Sequence, residues 1–167
     1  MKNFAYGSNL CRDRLVDRVS TAHYEFVAHL PSYELRFHKR SDIDGSAKAD
    51  AFFTGDADDT VWGVVVDVPD LDRWKLDQAE GLGGGYAAES VTVFDGEGDP
   101  HQAVAYIAQQ SHIDPRLRPY EWYLSLVVDG ARARGLPETY VEEIESVRAI
   151  PDPEPERPYR PPDDRLC

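Results

Sequence analysis

Phe4-Ala5-Tyr6-Gly7-Ser8-Asn9-Leu10 ends a short apolar-leaning run from Lys2 to Tyr6 and breaks it at glycine. Leu10, Leu15, Val16 and Val19 then recur at roughly helical spacing, so the segment reads as strand, tight turn, helix. Ser8 or Asn9 is placed to cap that helix, each offering a side-chain oxygen to free backbone N–H groups. Such a junction leaves several backbone N–H groups pointing at one spot, and the helix dipole adds positive potential there. A carboxylate or a developing oxyanion fits that pocket, although the same junction serves many folds as a plain connector.

Beyond the junction the period changes to two. Tyr33, Leu35 and Phe37 alternate with Glu34, Arg36 and His38, the mark of a half-buried strand, and Pro31-Ser32 separates it from an earlier strand around 24–29. Residues 41–48 read as a loop, and 49–53 and 61–68 as strands, the second a nearly continuous apolar run suited to a central position. A helix opens at Pro69-Asp70 and ends at Glu80, because Gly81 and Gly83-Gly84-Gly85 hold helix poorly. Strands at 86–94 and 102–108 flank a hairpin loop at 95–100. The longest helical pattern runs 119–134, stopped by Gly135, and a shorter one runs 137–147. Strands joined mostly by short turns, with helices inserted between them, predict an α+β domain over 1–150. Closure into a barrel would remove its edge strands. A Pro-rich, charged tail fills 151–167, either disordered or lying across the body.

Composition narrows the function. A net charge of -13 over 167 residues argues against nucleic acid, which needs a basic face, and against attraction to an anionic membrane. No run approaches the roughly 20 apolar residues of a membrane helix, and no signal peptide is visible, so the simplest expectation is a cytoplasmic protein. Cys11 and Cys167 form no disulfide framework and no CxxC pair, and Cys11 reads as a small half-buried side chain. The histidines lack metal-ligand spacing, and the calcium-loop likeness at Asp42-Ile43-Asp44-Gly45 fails because Phe53 occupies the twelfth position. Neither a metal nor a cofactor is expected.

Two further segments carry candidate chemistry. In Leu76-Asp77-Gln78-Ala79-Glu80-Gly81 a carboxylate sits at a helix C-terminus, where the dipole disfavours its charge and favours a basic, proton-accepting role. A glutamate before a C-cap glycine is also commonly a solvated surface residue. In Pro119-Tyr120-Glu121-Trp122-Tyr123, the two tyrosines lie three apart on one helix face and their hydroxyls could share a pocket. Aromatics at that spacing are usually core, as Trp122 is expected to be, and Gly130 reads as a close-packing position.

Taken in order, these segments resemble the γ-glutamylcyclotransferase (AIG2-like) superfamily, in its YGSN branch. The resemblance rests on residues 4–10, on Asp59-Thr60-Val61-Trp62-Gly63-Val64-Val65, and on Leu76-Asp77 with Glu80-Gly81. Pro119 with Tyr123, Gly130-Ala131 and Gly135-Leu136-Pro137 with Tyr140 complete it. It implies a small mixed β-barrel of about six to seven strands flanked by helices. It also implies a place in glutathione metabolism, with a small γ-glutamyl compound as substrate and a homodimer as a candidate working form.

The implied reaction is intramolecular: the substrate's α-amine attacks its own γ-carbonyl, closes a lactam, 5-oxoproline, and expels the attached amine without cofactor. The resemblance implies Glu80 as the acid/base. Phe4, Tyr6, Gly7, Ser8 and Asn9 would bind substrate, with Tyr123 orienting it and Tyr86 or Tyr120 assisting. Two alternatives remain open at this level: removal of a γ-glutamyl protecting group from a biosynthetic intermediate, and a non-catalytic binding module using the same pocket.

Overall fold

The computed structural model describes residues 1–154, 156, 157 and 167. In chain order the elements are β1 (Lys2–Ala5), α1 (Arg12–Arg18), β2 (His23–Pro31), β3 (Tyr33–Arg40), β4 (Ala47–Phe53) and β5 (Thr60–Asp67). They continue with α2 (Arg73–Ala79), β6 (Tyr86–Phe94), β7 (Pro100–Ala108), α3 (Glu121–Ala133) and α4 (Glu138–Glu145). Seven strands form, as expected for an α+β barrel, but only five close it, in the order β1-β5-β2-β6-β7. The barrel is mixed because β1 meets β7 in parallel, through Asn3 opposite Val104, while every other neighbour is antiparallel.

The apolar run of β5 lies between β1 and β2, and Val64, Val65 and Val66 are all buried in succession. Covering on both faces explains why that strand shows no polar alternation. β3 and β4 form a separate two-stranded ribbon, from which Lys39 makes one isolated bridge to Ile113. Asp50 ties this ribbon to the barrel: one oxygen accepts from the Ala108 N–H of β7 at 2.7 Å, and the other bonds His38 of β3 at 2.8 Å. Buried carboxylates persist where both oxygens find partners, as they do here.

Two local expectations change. The turn after Gly7 is a 3-10 turn, Ser8–Leu10, closed by Leu10 N–H to Gly7 O at 3.0 Å, and α1 begins only at Arg12 with no side-chain cap. Asn9 and Ser8 therefore cap nothing, and the dipole of α1 does not bear on them as the sequence suggests. The cysteines also depart from expectation, since fully buried Cys11 is disulfide-bonded to Cys167. Part of the tail, Asp152 to Glu154 with Arg157, lies against the start of α3, where Trp122 Nε1 donates to Asp152 at 2.9 Å. The remainder of the expected tail, residue 155 and residues 158–166, lies outside the described residues. No helix among the described residues is long and apolar enough to cross a membrane.

Candidate active site

α2 is anchored by Leu76, its one fully buried residue, and ends at Glu80, the C-cap. Gly81 takes φ +64°, a conformation that costs an L side chain about 1–2 kcal/mol. Leu82 N–H then closes the helix end onto Asp77 O at 2.9 Å. Asp77 also accepts from the Tyr106 hydroxyl of β7 at 2.6 Å, which pins α2 to the barrel. Burial and the neighbouring Asp77 both push the Tyr106 hydroxyl well above its usual pKa.

This anchoring brings Glu80 to the turn that follows β1. Glu80 Oε1 accepts from Asn9 Nδ2 and from Arg18 Nη1, both at 2.7 Å, and Arg18 Nη1 also donates to Asn9 Oδ1 at 2.6 Å. Each charged partner is only 16% exposed, so the pair is largely shielded from water. Among the described residues no hydrogen bond falls on Oε2. Nor does the backbone N–H of Ser8 or Asn9 bond to another described residue, whereas those of Leu10 and Cys11 close onto Gly7 and Ser8.

Ala49 gathers the tyrosines. Its N–H donates to the Tyr123 hydroxyl at 3.1 Å, and its carbonyl accepts from the Tyr86 hydroxyl at 2.6 Å. Tyr123 thus keeps its own O–H to give, while Tyr86 keeps an oxygen lone pair to receive. Burial pushes Tyr123 up to about 12 and Tyr86 and Tyr6 well above the ordinary phenol range, so all three stay protonated near neutrality. Tyr6 donates to the Tyr106 carbonyl, which secures the end of β1 against β7.

A chamber of about 40 Å³ is bordered by Tyr6, Gly7, Ser8, Asn9, Glu80 and Tyr86, together with Tyr123 and the core ring of Phe4. It adjoins an outer chamber of about 210 Å³, with which it shares Ser8, Glu80, Tyr86 and Tyr123. Tyr120 is not brought here. It lies outside α3, as its N-cap, and its hydroxyl donates to Asp44 O at 3.1 Å. Sequence reasoning gave no role to Asp77, which lies within the 76–81 motif, and missed Arg18 and the backbone of Ala49. Arg18 reads equally well as a cation complementing its own helix end, and the Ala49 backbone has no side-chain signal. Among the described residues no three His, Cys, Asp or Glu side chains converge as a metal would require.

The arrangement offers a fixed carboxylate, two backbone donors and two oriented phenols around one small space. Residues 60–144 match the AIG2-like family. The γ-glutamylcyclotransferase of Homo sapiens is 31% identical over 149 residues, covering 86% of this chain and 77% of that protein. Its Bos taurus counterpart is 32% identical with the same coverage. A solved γ-glutamyl cyclotransferase superposes at a TM-score of 0.82 and 28% identity, covering 90% of this chain and 89% of the other. With motifs, barrel and relatives in agreement, the chain belongs to the γ-glutamylcyclotransferase (AIG2-like) superfamily.

Proposed function

We propose that this chain is a γ-glutamylcyclotransferase that releases 5-oxoproline from a γ-glutamyl-amine or γ-glutamyl amino acid. The observation that carries the reading is Glu80, held through Oε1 by Asn9 and Arg18 at the border of both chambers, with Oε2 left to take a proton. The glutamyl part of the substrate is held folded where the two chambers meet, which removes much of the entropic barrier to ring closure. Glu80 accepts a proton from the α-ammonium, whose pKa in peptides is roughly 8. The amine nitrogen bonds to the γ-carbon, and the bond from that carbon to the leaving nitrogen breaks. The α-ammonium sheds two protons in becoming the lactam N–H, and both end on the departing amine, which leaves as an ammonium. One carboxylate can carry each proton in turn, because base and acid steps alternate.

Ser8 and Asn9 N–H groups receive the substrate α-carboxylate or the developing oxyanion, and the free O–H of Tyr123 orients the same end. Donors fixed by the fold need no rearrangement as charge develops, which is what makes them effective. We place the reaction in the cytoplasm as part of the proposal. Because disulfides such as Cys11–Cys167 are rare in reducing compartments, the redox state of that pair in cell extract tests the placement.

The function itself is tested by incubating purified protein with a panel of γ-glutamyl compounds and following 5-oxoproline. Turnover should require a free α-amine and stop when that nitrogen is acetylated. Release of glutamate in place of 5-oxoproline, or cleavage of the acetylated compounds, would show a hydrolase and overturn the reading.

A further inference from the structure

Lys39 is buried at 6% exposure and so is its neighbour His38, although adjacent residues of a regular strand face opposite sides. The alternation of Tyr33, Leu35 and Phe37 continues to Lys39 and leaves His38 on the polar face, yet His38 also points inward, to Asp50. The register of β3 against β4 slips between Phe37 and Lys39, and this bulge takes both side chains inside. Lys39 Nζ lies 4.7 Å from the centre of the Tyr86 ring, on the wall of the outer chamber. A Cβ on Gly85 would stand 2.7 Å from that nitrogen, so glycine is what admits the ammonium there. Burial pushes the Lys39 pKa below its ordinary value, against the opposing pull of Asp42 and Glu80.

The other cations on this wall differ from Lys39. Arg18 is held by Glu80, and Lys48 by Asp44 at 2.8 Å. Arg14 also lines the chamber. No carboxylate among the described residues forms an ion pair with Lys39, whose partner is the Tyr86 ring face. The wall carries these four cations beside Asp42, Asp44 and Glu80, so in a chain of net charge -13 it has one cation in excess. A shielded ammonium without a counter-ion gains most from a ligand that brings one.

We propose that Lys39 is a specificity residue that receives an anionic group, a carboxylate above all, carried by the departing amine. The inference rests on the cyclisation proposed above. A substrate whose glutamyl end seats against the inner chamber, with its reacting carbon beside Glu80, has the outer chamber open to its leaving group, because Ser8, Glu80, Tyr86 and Tyr123 border both. Lys39 then meets the far end of the substrate while Glu80 works on the near end.

γ-Glutamyl-alanine and γ-glutamyl-ethylamide differ only in the carboxylate of the leaving group, so their kcat/KM ratio isolates this contact. The unaltered protein should favour the alanine compound about ten- to a hundredfold, the size of one charge-assisted hydrogen bond. Lys39→Met keeps the length of the side chain and removes the charge, and it should bring the ratio to about one by loss on the alanine compound. If that variant does not fold, the ratio in the unaltered protein decides, and a value below about threefold overturns the assignment. Equal cyclisation of both compounds removes Lys39 as a specificity residue and leaves the proposed function standing. No 5-oxoproline from either compound ends both readings.

Discussion

Glu80 occupies a helix C-terminus, where the dipole of α2 disfavours a carboxylate, yet Arg18 and Asn9 both reach its Oε1 at 2.7 Å. The dipole alone predicts that Glu80→Gln leaves stability unchanged or raises it, because the amide relieves an unfavourable charge. The ion pair reverses that sign. Glutamine keeps an oxygen for both donors but leaves the shielded Arg18 without its counter-charge, a loss of about 1 kcal/mol. For a chain of this size that lowers Tm by roughly 2–4 °C. Turnover should fall by about 10²–10⁴-fold, since the amide cannot accept a proton at neutral pH. Activity and melting measured on one preparation separate the cases: a variant that keeps most of its turnover removes Glu80 as the base. Glu80 and Asn9 could be found in the sequence because each sits in a short recognisable motif. Arg18 could not, since its partner is 62 residues away and its place in the last turn of α1 already has a local explanation.

At the scale of elements, the position of the Ser8–Leu10 turn depends on how closely α3 approaches it. A Cβ on Gly130 would stand 2.6 Å from both Leu10 C and Cys11 N, backbone atoms that cannot swing aside. Gly130→Ala should therefore lose about 1–3 kcal/mol and push the turn, with Asn9, away from Glu80. Its kcat should drop at temperatures where the variant remains folded, as circular dichroism would verify. An alanine variant with unaltered Tm and unaltered kcat would mean that helix and turn need not touch. The close-packing role of Gly130 is legible from its place in an otherwise apolar helical pattern. The character of the turn is not. Gly7-Ser8-Asn9 carries the composition of a helix cap, but Leu10 N–H bonds back three residues to Gly7, and the Asn9 amide goes to Glu80 instead. The bulge that turns His38 and Lys39 inward together is equally hidden, since the alternation from Tyr33 to Phe37 is regular up to it.

At the scale of the whole molecule, one covalent bond joins residues 156 apart. Closing so long a loop restricts the unfolded chain, and reduction of Cys11–Cys167 should lower stability by about 2–4 kcal/mol. Melts with and without reductant check this, and Cys11→Ser should melt like the reduced protein and no longer respond to reductant. Identical melts for oxidised and reduced protein, with thiols titrated in each, would show that the bond adds nothing to the fold. Two lone cysteines at opposite ends of a sequence carry no sign that they meet, so the pairing belongs to the tertiary structure alone. The sequence by itself determined which stretches become strands and helices, which faces they bury, the superfamily, and the carboxylate on which the proposed chemistry turns. Those properties follow from local periodicity, from turn residues and from short motifs. Only the tertiary structure decided that five strands close while β3 and β4 stand apart, that Ala49 joins Tyr86 to Tyr123, and that Asn9, Arg18 and Glu80 form one triangle. The physical reason is common to all of these. A hydrophobic pattern states that a face must be buried, but which distant backbone or side chain it meets there is chosen by the packing of the whole chain.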